Sequence, residues 1–306
     1  FQAGIETDQS HTRARIHQMK TDRIEKHLTD GEIVVVAGFQ GISSQGDITT
    51  LGRGGSDTTA VGLAAVLGAT CEIYTDVDGV YTVDPRLYPE AKKLEVISYE
   101  EMLEMASRGA RILETRAVEM AHKYKVPLYV ALSGGDYPGT YIKELDQQME
   151  HKVVTGMTVD ENCLMATLSG IPFSSQHIAR IFAELASEQV LVDMISQTAP
   201  HEGKVTLSFT ATKDDLMAVK AVTAKLKEED PFTAMSVDLD DDVIKLSVVG
   251  IGMVSQTGVA ASLFDIFSTN HIDFYQVTTS EISISYTIRS ADADKAVRLV
   301  AYKFDL

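Results

Sequence analysis

A glycine-rich segment, TLGRGGSDTTA at residues 50–60, holds the residue types best suited to chemistry in this chain. Its glycines let the backbone approach a ligand closely. Ser56 and Asp57 stand where a run of small residues predicts the start of a helix, and the free N–H groups of a helix start favour an anion. Arg53 adds a planar fork that fits a carboxylate or a phosphate. We interpret the segment as an anion site; the plainer alternative is a glycine-rich turn before a capped helix.

A second segment, TDVDGVYTVDPR at residues 75–86, follows a predicted buried strand at 71–76. Its aspartates are therefore expected at the carboxyl edge of a sheet, where open α/β sheets bind ligands. Tyr81 offers a face for stacking, and Arg86 offers a cation for phosphates. The segment begins like a calcium loop, but no glutamate closes it at the required spacing. The alternative to a ligand loop is a solvated acidic turn.

The elements that would carry these two segments alternate between strand and helix over residues 1–150. Continuous apolar runs predict buried strands, and Ser98 with Glu101 predicts a capping box at a helix start. The predicted strands are 33–39, 71–76 and 126–132, and the predicted helices are 56–68 and one or two helices within 98–124. This alternation predicts an α/β fold with an open, mostly parallel sheet flanked by helices.

After residue 150 the chain repeats itself with an offset of 80 residues. The matching pairs are Gly170-Ile171 with Gly250-Ile251, Ser175-Gln176 with Ser255-Gln256, and Asp193 with Asp273. The first repeat predicts strands 163–169, 190–198, 203–212 and 232–240 with helices 176–188 and 214–229. The second predicts strands 243–250, 272–279 and 281–289 with helices 257–270 and 292–304. Residues 240–242, three aspartates, are expected to form a solvated turn between the repeats.

One strand, at residues 152–160, remains before the first repeat, while the second repeat lacks its fourth strand. We expect the early strand to complete the second repeat, because an incomplete sheet would expose an edge. The predicted domains are therefore 1–150, then 163–240, and then 152–160 combined with 243–306.

The bulk composition excludes several function classes. A net charge of −17 disfavours binding to nucleic acid or to an anionic membrane surface. Two separated cysteines favour a reducing, cytoplasmic compartment, and no apolar run approaches the roughly 20 residues of a membrane span. The eight histidines are scattered, so no metal site is predicted. The opening residues FQAGI are typical of a strand within a domain, and we expect further sequence upstream.

Taken together, these motifs resemble the amino-acid kinase superfamily and, more narrowly, the aspartate kinases. TDVDGVYTVDPR resembles the nucleotide loop of the superfamily, and GRGGSDTTA is similar to the aspartate kinase signature that holds substrate and phosphates. EMLEMASRGARIL and RAVEMAHKYKVPLYV resemble the next aspartate kinase block. The repeat resembles the tandem, ferredoxin-like ACT domains of these enzymes. The resemblance covers essentially the whole chain.

The resemblance implies transfer of the γ-phosphate of ATP, with Mg²⁺, to the side-chain carboxylate of L-aspartate, giving 4-phospho-L-aspartate. This is the first step of lysine, threonine and methionine biosynthesis. Arg53 and Asp57 would be catalytic, and the substrate would lie against Arg53, Gly54, Gly55 and Ser56. The implied nucleotide residues are Ser56, Tyr74, Thr75, Asp76, Val80, Tyr81, Thr82, Asp84, Pro85, Arg86 and Arg111, the last standing where the family commonly has lysine.

The resemblance also implies feedback control by lysine, threonine or both, and a homodimer or larger homo-oligomer formed through the ACT domains. The implied effector residues are Val192, Asp193, Gln197, Val259, Ala260, Asp273, Phe274, Ser280 and Glu281.

Two departures from the family bear on these expectations. The opening Lys-Phe-Gly-Gly segment, with its phosphate-binding lysine and a glutamate for the substrate's amino group, is absent, so the chain is expected to be incomplete for catalysis. The first repeat reads GIPFSSQHIA rather than carrying the usual Asp-x-Pro-Gly. A non-catalytic regulatory subunit is therefore the alternative. A glutamate kinase is a third possibility, against which GRGGSDTT and the tandem repeat both argue.

Overall fold

The computed structural model describes residues 3–110, 112–135, 137–145 and 152–306. The chain divides into two compact units. The N-terminal unit comprises Phe1–Gly156 together with Leu306, and the C-terminal unit comprises Met157–Asp305. Within the described residues, no helix is both long enough and apolar enough to cross a membrane.

The N-terminal unit contains two four-stranded sheets with accompanying helices. Its strands are β1 (Ile5–Thr7), β2 (Ile16–Met19), β3 (Gln40–Ser43), β4 (Ile48–Thr50), β5 (Cys71–Thr75), β6 (Val96–Ile97), β7 (Leu128–Leu132) and β8 (Thr140–Ile142). Its helices are α1 (Asp22–Thr29), α2 (Gly55–Leu67), α3 (Tyr99–Ser107) and α4 (Thr115–Tyr124). The strand orders are β2-β1-β3-β4 and β5-β7-β8-β6, and each sheet mixes parallel and antiparallel pairs. The predicted α/β class is confirmed, with its strands divided between two small sheets.

Helix α2, which follows the glycine-rich segment, is fixed at both ends by glycine and packs closely along its length. It begins after Gly54 and ends at Gly68, and both residues have left-handed backbone angles that favour glycine. In the middle of the helix, a Cβ at Gly62 would lie only 2.5 Å from the Met19 Cε atom of β2. The run of small residues therefore lets the helix lie directly against the neighbouring strand.

The buried strand predicted at 33–39 is not formed. Residues 32–38 belong to no helix or strand, and the side chains of Ile33 and Val35 are 95% and 92% exposed. The intervening valines line a groove of about 470 Å³ that also includes Ile5 and Ile24. A strand buried on both faces needs neighbours on either side, and none of the described strands pairs with this segment. Its apolar composition indicated an element suited to burial, but composition does not reveal whether a partner strand is present.

The C-terminal unit is a six-stranded sheet with helices. Its strands are β9 (Gly156–Pro172), β10 (Ile195–Gln197), β11 (Lys204–Ala211), β12 (Ser236–Val249), β13 (Phe274–Thr279) and β14 (Ser283–Arg289). Its helices are α5 (Ser175–Ser187), α6 (Leu216–Lys227), α7 (Val259–Thr269) and α8 (Ala293–Phe304). The strand order is β10-β11-β9-β12-β14-β13, so the two central strands come from opposite ends of the first repeat. The predicted α+β class of this region is confirmed.

Strands β9 and β12 are each longer than predicted. β9 joins the strands predicted at 152–160 and 163–169, and β12 joins those predicted at 232–240 and 243–250. The turn predicted at 240–242 is wrong, because these aspartates lie inside β12. One of their charges is satisfied there, since Asp240 Oδ2 accepts a hydrogen bond of 2.6 Å from Arg289 Nη1.

Each repeat has its own hydrophobic core. In the first, Phe209 and Phe232 are fully buried within a cluster of aliphatic side chains from β9, β11, α5 and α6. In the second, Tyr286 of β14 is fully buried, with Phe267 of α7 packed edge-to-face at 4.9 Å between ring centroids. Strand β10 is shorter than the strand predicted at 190–198. The chain lies alongside β11 from Asp193 onward, because the Asp193 N–H donates a hydrogen bond to a carbonyl of β11.

Candidate functional site

The glycine-rich segment forms a tight turn that leads directly into α2. Gly52 (φ +86°) and Gly54 (φ +61°) both adopt left-handed conformations that favour glycine. The turn closes through a hydrogen bond of 3.0 Å from the Gly55 N–H to the Gly52 carbonyl. As a result, Ser56 and Asp57 lie in the first helical turn, where the positive end of the helix dipole favours an anion.

A residue that the sequence analysis missed, Glu114, lies against this turn. It precedes α4, and its Cγ atom occupies the space beside Gly54: a Cβ added to Gly54 would lie 1.8 Å from it. Its Oε1 atom is 3.3 Å from Arg53 Nε, so the arginine fork is held by a carboxylate while its side chain remains 83% exposed. This contact has no signal in the sequence, because about 60 residues separate Glu114 from the turn.

Asp57 is a half-buried carboxylate whose pKa lies above its ordinary value. Burial is the main cause, the nearby charge of Glu114 adds to it, and a hydrogen bond from Ser56 Oγ to Asp57 Oδ1 (3.4 Å) opposes both. The carboxylates of Asp57 and Glu114 thus lie near each other at the start of α2, and Glu114 is paired with Arg53. The balance of charge favours a ligand that brings both an anionic group for Arg53 and a cationic group for the carboxylates.

The second segment follows β5 as predicted, but two of the residues implied as nucleotide contacts, Val80 and Thr82, are fully enclosed. The side chains of Val80 and Thr82 are 0% and 1% exposed. The Val80 N–H donates to Thr140 Oγ1 at 2.8 Å, and the Thr82 N–H donates to the Lys92 carbonyl at 2.9 Å. Both residues therefore shape the loop from within, and neither presents its side chain to solvent.

The loop is anchored by Lys93, which the sequence analysis also missed. Lys93 Nζ lies 3.1 Å from Asp78 Oδ2 and donates to the Pro138 carbonyl at 2.7 Å. Tyr81 donates its hydroxyl to the same carboxylate at 3.1 Å. Burial alone would raise the pKa of Asp78, but the hydrogen bonds from Lys93 and Tyr81 outweigh it and lower that pKa. The Tyr81 hydroxyl is thus committed to holding the loop.

The outer part of the loop presents its charges to solvent. The side chain and the backbone N–H of Arg86 both donate hydrogen bonds to the Asp84 carboxylate, including one of 2.6 Å from Nη2 to Oδ2. These hydrogen bonds hold the pKa of Asp84 below its ordinary value. Pro85 is exposed, as are Asp76 and Tyr74. Thr75 ends β5 and donates its hydroxyl to Asp76 Oδ1 at 3.0 Å. Arg111 lies outside the described residues.

The described residues contain no cluster of three or more His, Cys, Asp or Glu side chains suited to holding a metal ion. Mg²⁺ usually keeps several waters and is held by one or two carboxylates together with substrate phosphates. The residues present therefore fit a Mg²⁺ ion that arrives with a nucleotide better than one in a cage made by the protein.

The residues implied as effector contacts lie around β10, β13 and α7. Asp193 precedes β10 and is bound by Lys245, whose Nζ atom lies 2.5 Å from Asp193 Oδ2. Its counterpart Asp273 precedes β13 and is exposed. The others are Val192, half-buried; Gln197, exposed at the end of β10; Val259, buried, and Ala260, half-buried, at the start of α7; Phe274, 40% exposed; and Ser280 and Glu281, exposed in the turn between β13 and β14.

Comparison with known protein families finds one matching family model in each of the two units. The "Amino acid kinase family" model matches residues 1–132, and an "ACT domain" model matches residues 246–304. The "Aspartate kinase" of Pseudomonas putida is 41% identical over 307 residues, a match covering 100% of this chain and 74% of that protein.

Solved structures give the same fold. E. coli aspartokinase III in complex with aspartate and ADP has a TM-score of 0.78 at 24% identity, covering 100% of this chain and 69% of that one. The same enzyme in complex with lysine and aspartate has a TM-score of 0.77 at 24% identity, covering 99% and 68%. From the sequence identity and its coverage, together with the fold, the chain belongs to the aspartate kinase family of the amino-acid kinases and carries ACT domains.

Proposed function

We propose that the chain is an aspartate kinase that transfers the γ-phosphate of ATP to the side-chain carboxylate of L-aspartate. The observation that carries this proposal is the start of α2, where Arg53 pairs with Glu114 beside a left-handed Gly54 and the half-buried Asp57 lies in the first helical turn. Aspartate brings one carboxylate for Arg53, an ammonium group for the acidic side chains, and a second carboxylate that can accept the phosphoryl group. A phosphotransferase of this family provides the context for the chemistry.

In this reaction an oxygen of the substrate's side-chain carboxylate attacks the γ-phosphorus, and the bond from phosphorus to the bridging oxygen of ADP breaks. Arg53, with Gly54, Gly55 and Ser56 beside it, would bind and orient the aspartate. Asp57 would hold the cationic groups that gather around the phosphates. Mg²⁺, bound to the phosphates, would neutralise part of their charge.

The nucleotide would lie along the loop of residues 75–86. Tyr74, Thr75, Asp76, Pro85 and Arg86 present groups at the surface of the protein. Val80, Tyr81, Thr82 and Asp84 would act mainly by holding the loop's backbone, since their side chains are buried or engaged within the loop. Arg111 is proposed as a further phosphate contact from the family resemblance.

We propose feedback control for the C-terminal unit. E. coli aspartokinase III, which shares the fold, has been crystallised with lysine, and lysine or threonine is the effector proposed here. The proposed domains are 1–150, 163–240 and 152–160 with 243–306. The strand order is consistent with this division, because β9 and β12 are neighbours. A cytoplasmic homodimer or larger homo-oligomer completes the proposal.

Titration of the chain with L-aspartate and, separately, with MgATP tests the catalytic part. Both should bind, and L-glutamate should bind more weakly than aspartate. Arg53→Ala should weaken aspartate at least about tenfold, since a hydrogen-bonded charge contributes about 1.5–3 kcal/mol, and should leave MgATP nearly unchanged. Arg298→Ala, which removes an exposed arginine of α8, is the matched control.

In the full-length protein, trapping the acyl phosphate with hydroxylamine reports turnover directly. Aspartate binding that is unaffected by Arg53→Ala would refute the assignment of Arg53. If the full-length protein neither binds aspartate nor forms hydroxamate while lysine or threonine still binds, the protein is the non-catalytic regulatory alternative.

A further inference from the structure

The backbone carbonyl of Leu51 lies at the entrance to the glycine-rich turn and lacks the donor that strand pairing would normally supply. Two residues that face each other in an antiparallel ladder can exchange two N–H···O bonds. The Leu51 N–H donates to the Phe39 carbonyl at 2.9 Å, but the Phe39 N–H donates to Thr59 Oγ1 of α2 at 3.1 Å. Leu51 is only 3% exposed, so its carbonyl needs a donor from elsewhere in the fold.

Arg116 supplies that donor. It is the second residue of α4, and its Nη1 atom donates to the Leu51 carbonyl at 3.1 Å. The Leu51 carbonyl and the Gly52 N–H belong to one planar peptide unit, so a bond to the first also fixes the direction of the second. This is the peptide through which the chain enters the turn, and Arg53 follows it directly.

The same end of α4 holds the turn a second time, through Glu114. Its Oε1 atom lies 3.3 Å from Arg53 Nε, and its Cγ atom fills the space beside Gly54. Arg116 therefore bonds the peptide before Gly52, and Glu114 contacts the residues after it. A turn rich in glycine has little stiffness of its own, so we expect these two contacts to determine where Arg53 lies.

Arg116 holds its charge in an unfavourable place. The residue is half-buried, and in the part of the chain that the structure describes no carboxylate lies within ion-pair distance of it. Burial lowers the pKa of Arg116 and the nearby charge of Arg15 lowers it further, while the charges of Asp8 and Glu119 oppose both. An uncharged side chain would avoid this cost, so the hydrogen bond to Leu51 is the contribution that explains an arginine here.

We propose that Arg116 is a positioning residue of the aspartate site, acting through the Leu51–Gly52 peptide on the side chain of Arg53. The proposal rests on the proposed function, since it takes Arg53 to bind a carboxylate of the substrate. Without the bond from Arg116, the Leu51 carbonyl would turn toward another donor and the turn would loosen. Arg53 would then occupy its binding position for less of the time, and aspartate would bind more weakly.

Titration of the full-length protein with L-aspartate and with MgATP tests the positioning role. Arg116→Met removes the guanidinium and keeps an apolar stem, and it should weaken aspartate binding about tenfold while MgATP affinity stays within about twofold. Arg116→Gln, which is neutral and shorter, should behave in the same way and serves if the methionine variant does not fold. Arg116→Lys keeps a cationic donor for the single carbonyl and should recover most of the lost affinity.

A control variant and a second measurement separate this role from a general loss of stability. Arg180→Met is the matched control, because it removes a half-buried arginine that is paired with Glu229 in the first repeat, and it should leave both affinities unchanged. Hydrogen exchange of a peptide covering residues 52–58 reports on the turn directly, since the Gly55 N–H is bonded to the Gly52 carbonyl. Exchange there should be severalfold faster in Arg116→Met than in wild type, and unchanged in Arg180→Met.

A double variant tests whether Arg116 acts through Arg53. In an Arg53→Ala background, Arg116→Met should weaken aspartate binding by less than about twofold further, because the side chain that it positions is gone. Losses that multiply in full would overturn the proposal, as would unchanged hydrogen exchange, or faster exchange with unchanged aspartate affinity. If the wild type binds no aspartate, the proposed function fails, and hydrogen exchange still decides whether Arg116 holds the turn.

Discussion

The contact between Gly54 and Glu114 makes a quantitative prediction, because the chain supplies its own control. Gly54 and Gly68 flank the same helix with nearly the same backbone angle, φ +61° and +62°. A Cβ at Gly54 would lie 1.8 Å from Glu114 Cγ, whereas a Cβ at Gly68 would meet nothing within 4 Å. The two alanine variants therefore share the backbone strain and differ in the steric clash.

The expected free energies follow from these two contributions. Left-handed backbone costs a non-glycine residue about 1–2 kcal/mol, partly offset by the lower entropy of the unfolded chain, so Gly68→Ala should lose about 1 kcal/mol of unfolding free energy. Gly54→Ala adds an overpacking cost of about 1–3 kcal/mol because Glu114 must move. Its total should be about 2–4 kcal/mol, and aspartate binding should weaken because the partner of Arg53 is displaced.

Urea unfolding followed by far-ultraviolet circular dichroism measures both variants, which suits a chain with no tryptophan. Aspartate titration of the folded variants then separates stability from binding. If the two variants lose the same unfolding free energy within about 0.5 kcal/mol, Glu114 does not occupy the position described. If Gly54→Ala is the less stable variant but binds aspartate as the wild type does, the contact is structural only.

Three further outcomes are expected from pKa values. Burial raises the pKa of Asp57, so folding disfavours its charged form; Asp57→Asn should be more stable than wild type at pH 7 and lose that advantage below about pH 4, and in the full-length protein it should abolish phosphoryl transfer. The pKa of Asp78 is lower in the folded chain than its ordinary value of about 4, so its charged form stabilises the fold above that value. This stabilisation is lost as the pH falls through the pKa of Asp78 in the folded chain. Asp78→Asn should therefore have a lower urea midpoint than wild type at pH 6, and the difference should be smaller at pH 3. Burial raises the pKa of both Cys71 and Cys163 to about 11, so a thiol reagent should modify them only after unfolding, and fast labelling of the native chain would contradict this.

Sequence reasoning located the elements whose signals are local. Helix α2 was predicted at 56–68 and lies at Gly55–Leu67, because the glycines that bound it and its small residues are contiguous in the chain. The capping box predicted at the start of α3 is present, with Ser98 and Glu101 bonded reciprocally. Such features depend on residues three or four positions apart, which a sequence displays directly.

Contacts between distant residues were missed for the same reason. Glu114 approaches Gly54, and Lys93 bonds the Pro138 carbonyl, only because the fold brings separate elements together. At residues 33–38 the sequence reasoning instead predicted an element that is absent. The apolar composition of this segment favoured a buried strand, but composition does not show whether the partner strands needed for burial are present. The backbone hydrogen bonds of a strand are made to neighbouring strands, whereas those of a helix are made within the helix, so helix signals are more local in the sequence.

The two long central strands of the C-terminal unit have a consequence for how it folds and responds. Because β9 and β12 each run through both repeats, these strands contain no loop at which the two repeats could be separated. A fragment ending near residue 240 would lack the second half of β12, which is the neighbour of β9 in the sheet. β9 pairs with β11 on one side, but its partner on the other side, β12, begins more than 60 residues beyond the end of β9, and such long-range pairing slows folding. We therefore expect a single cooperative transition for this unit. A ligand that twists one repeat would also bend a strand of the other, with no hinge between them to absorb the motion.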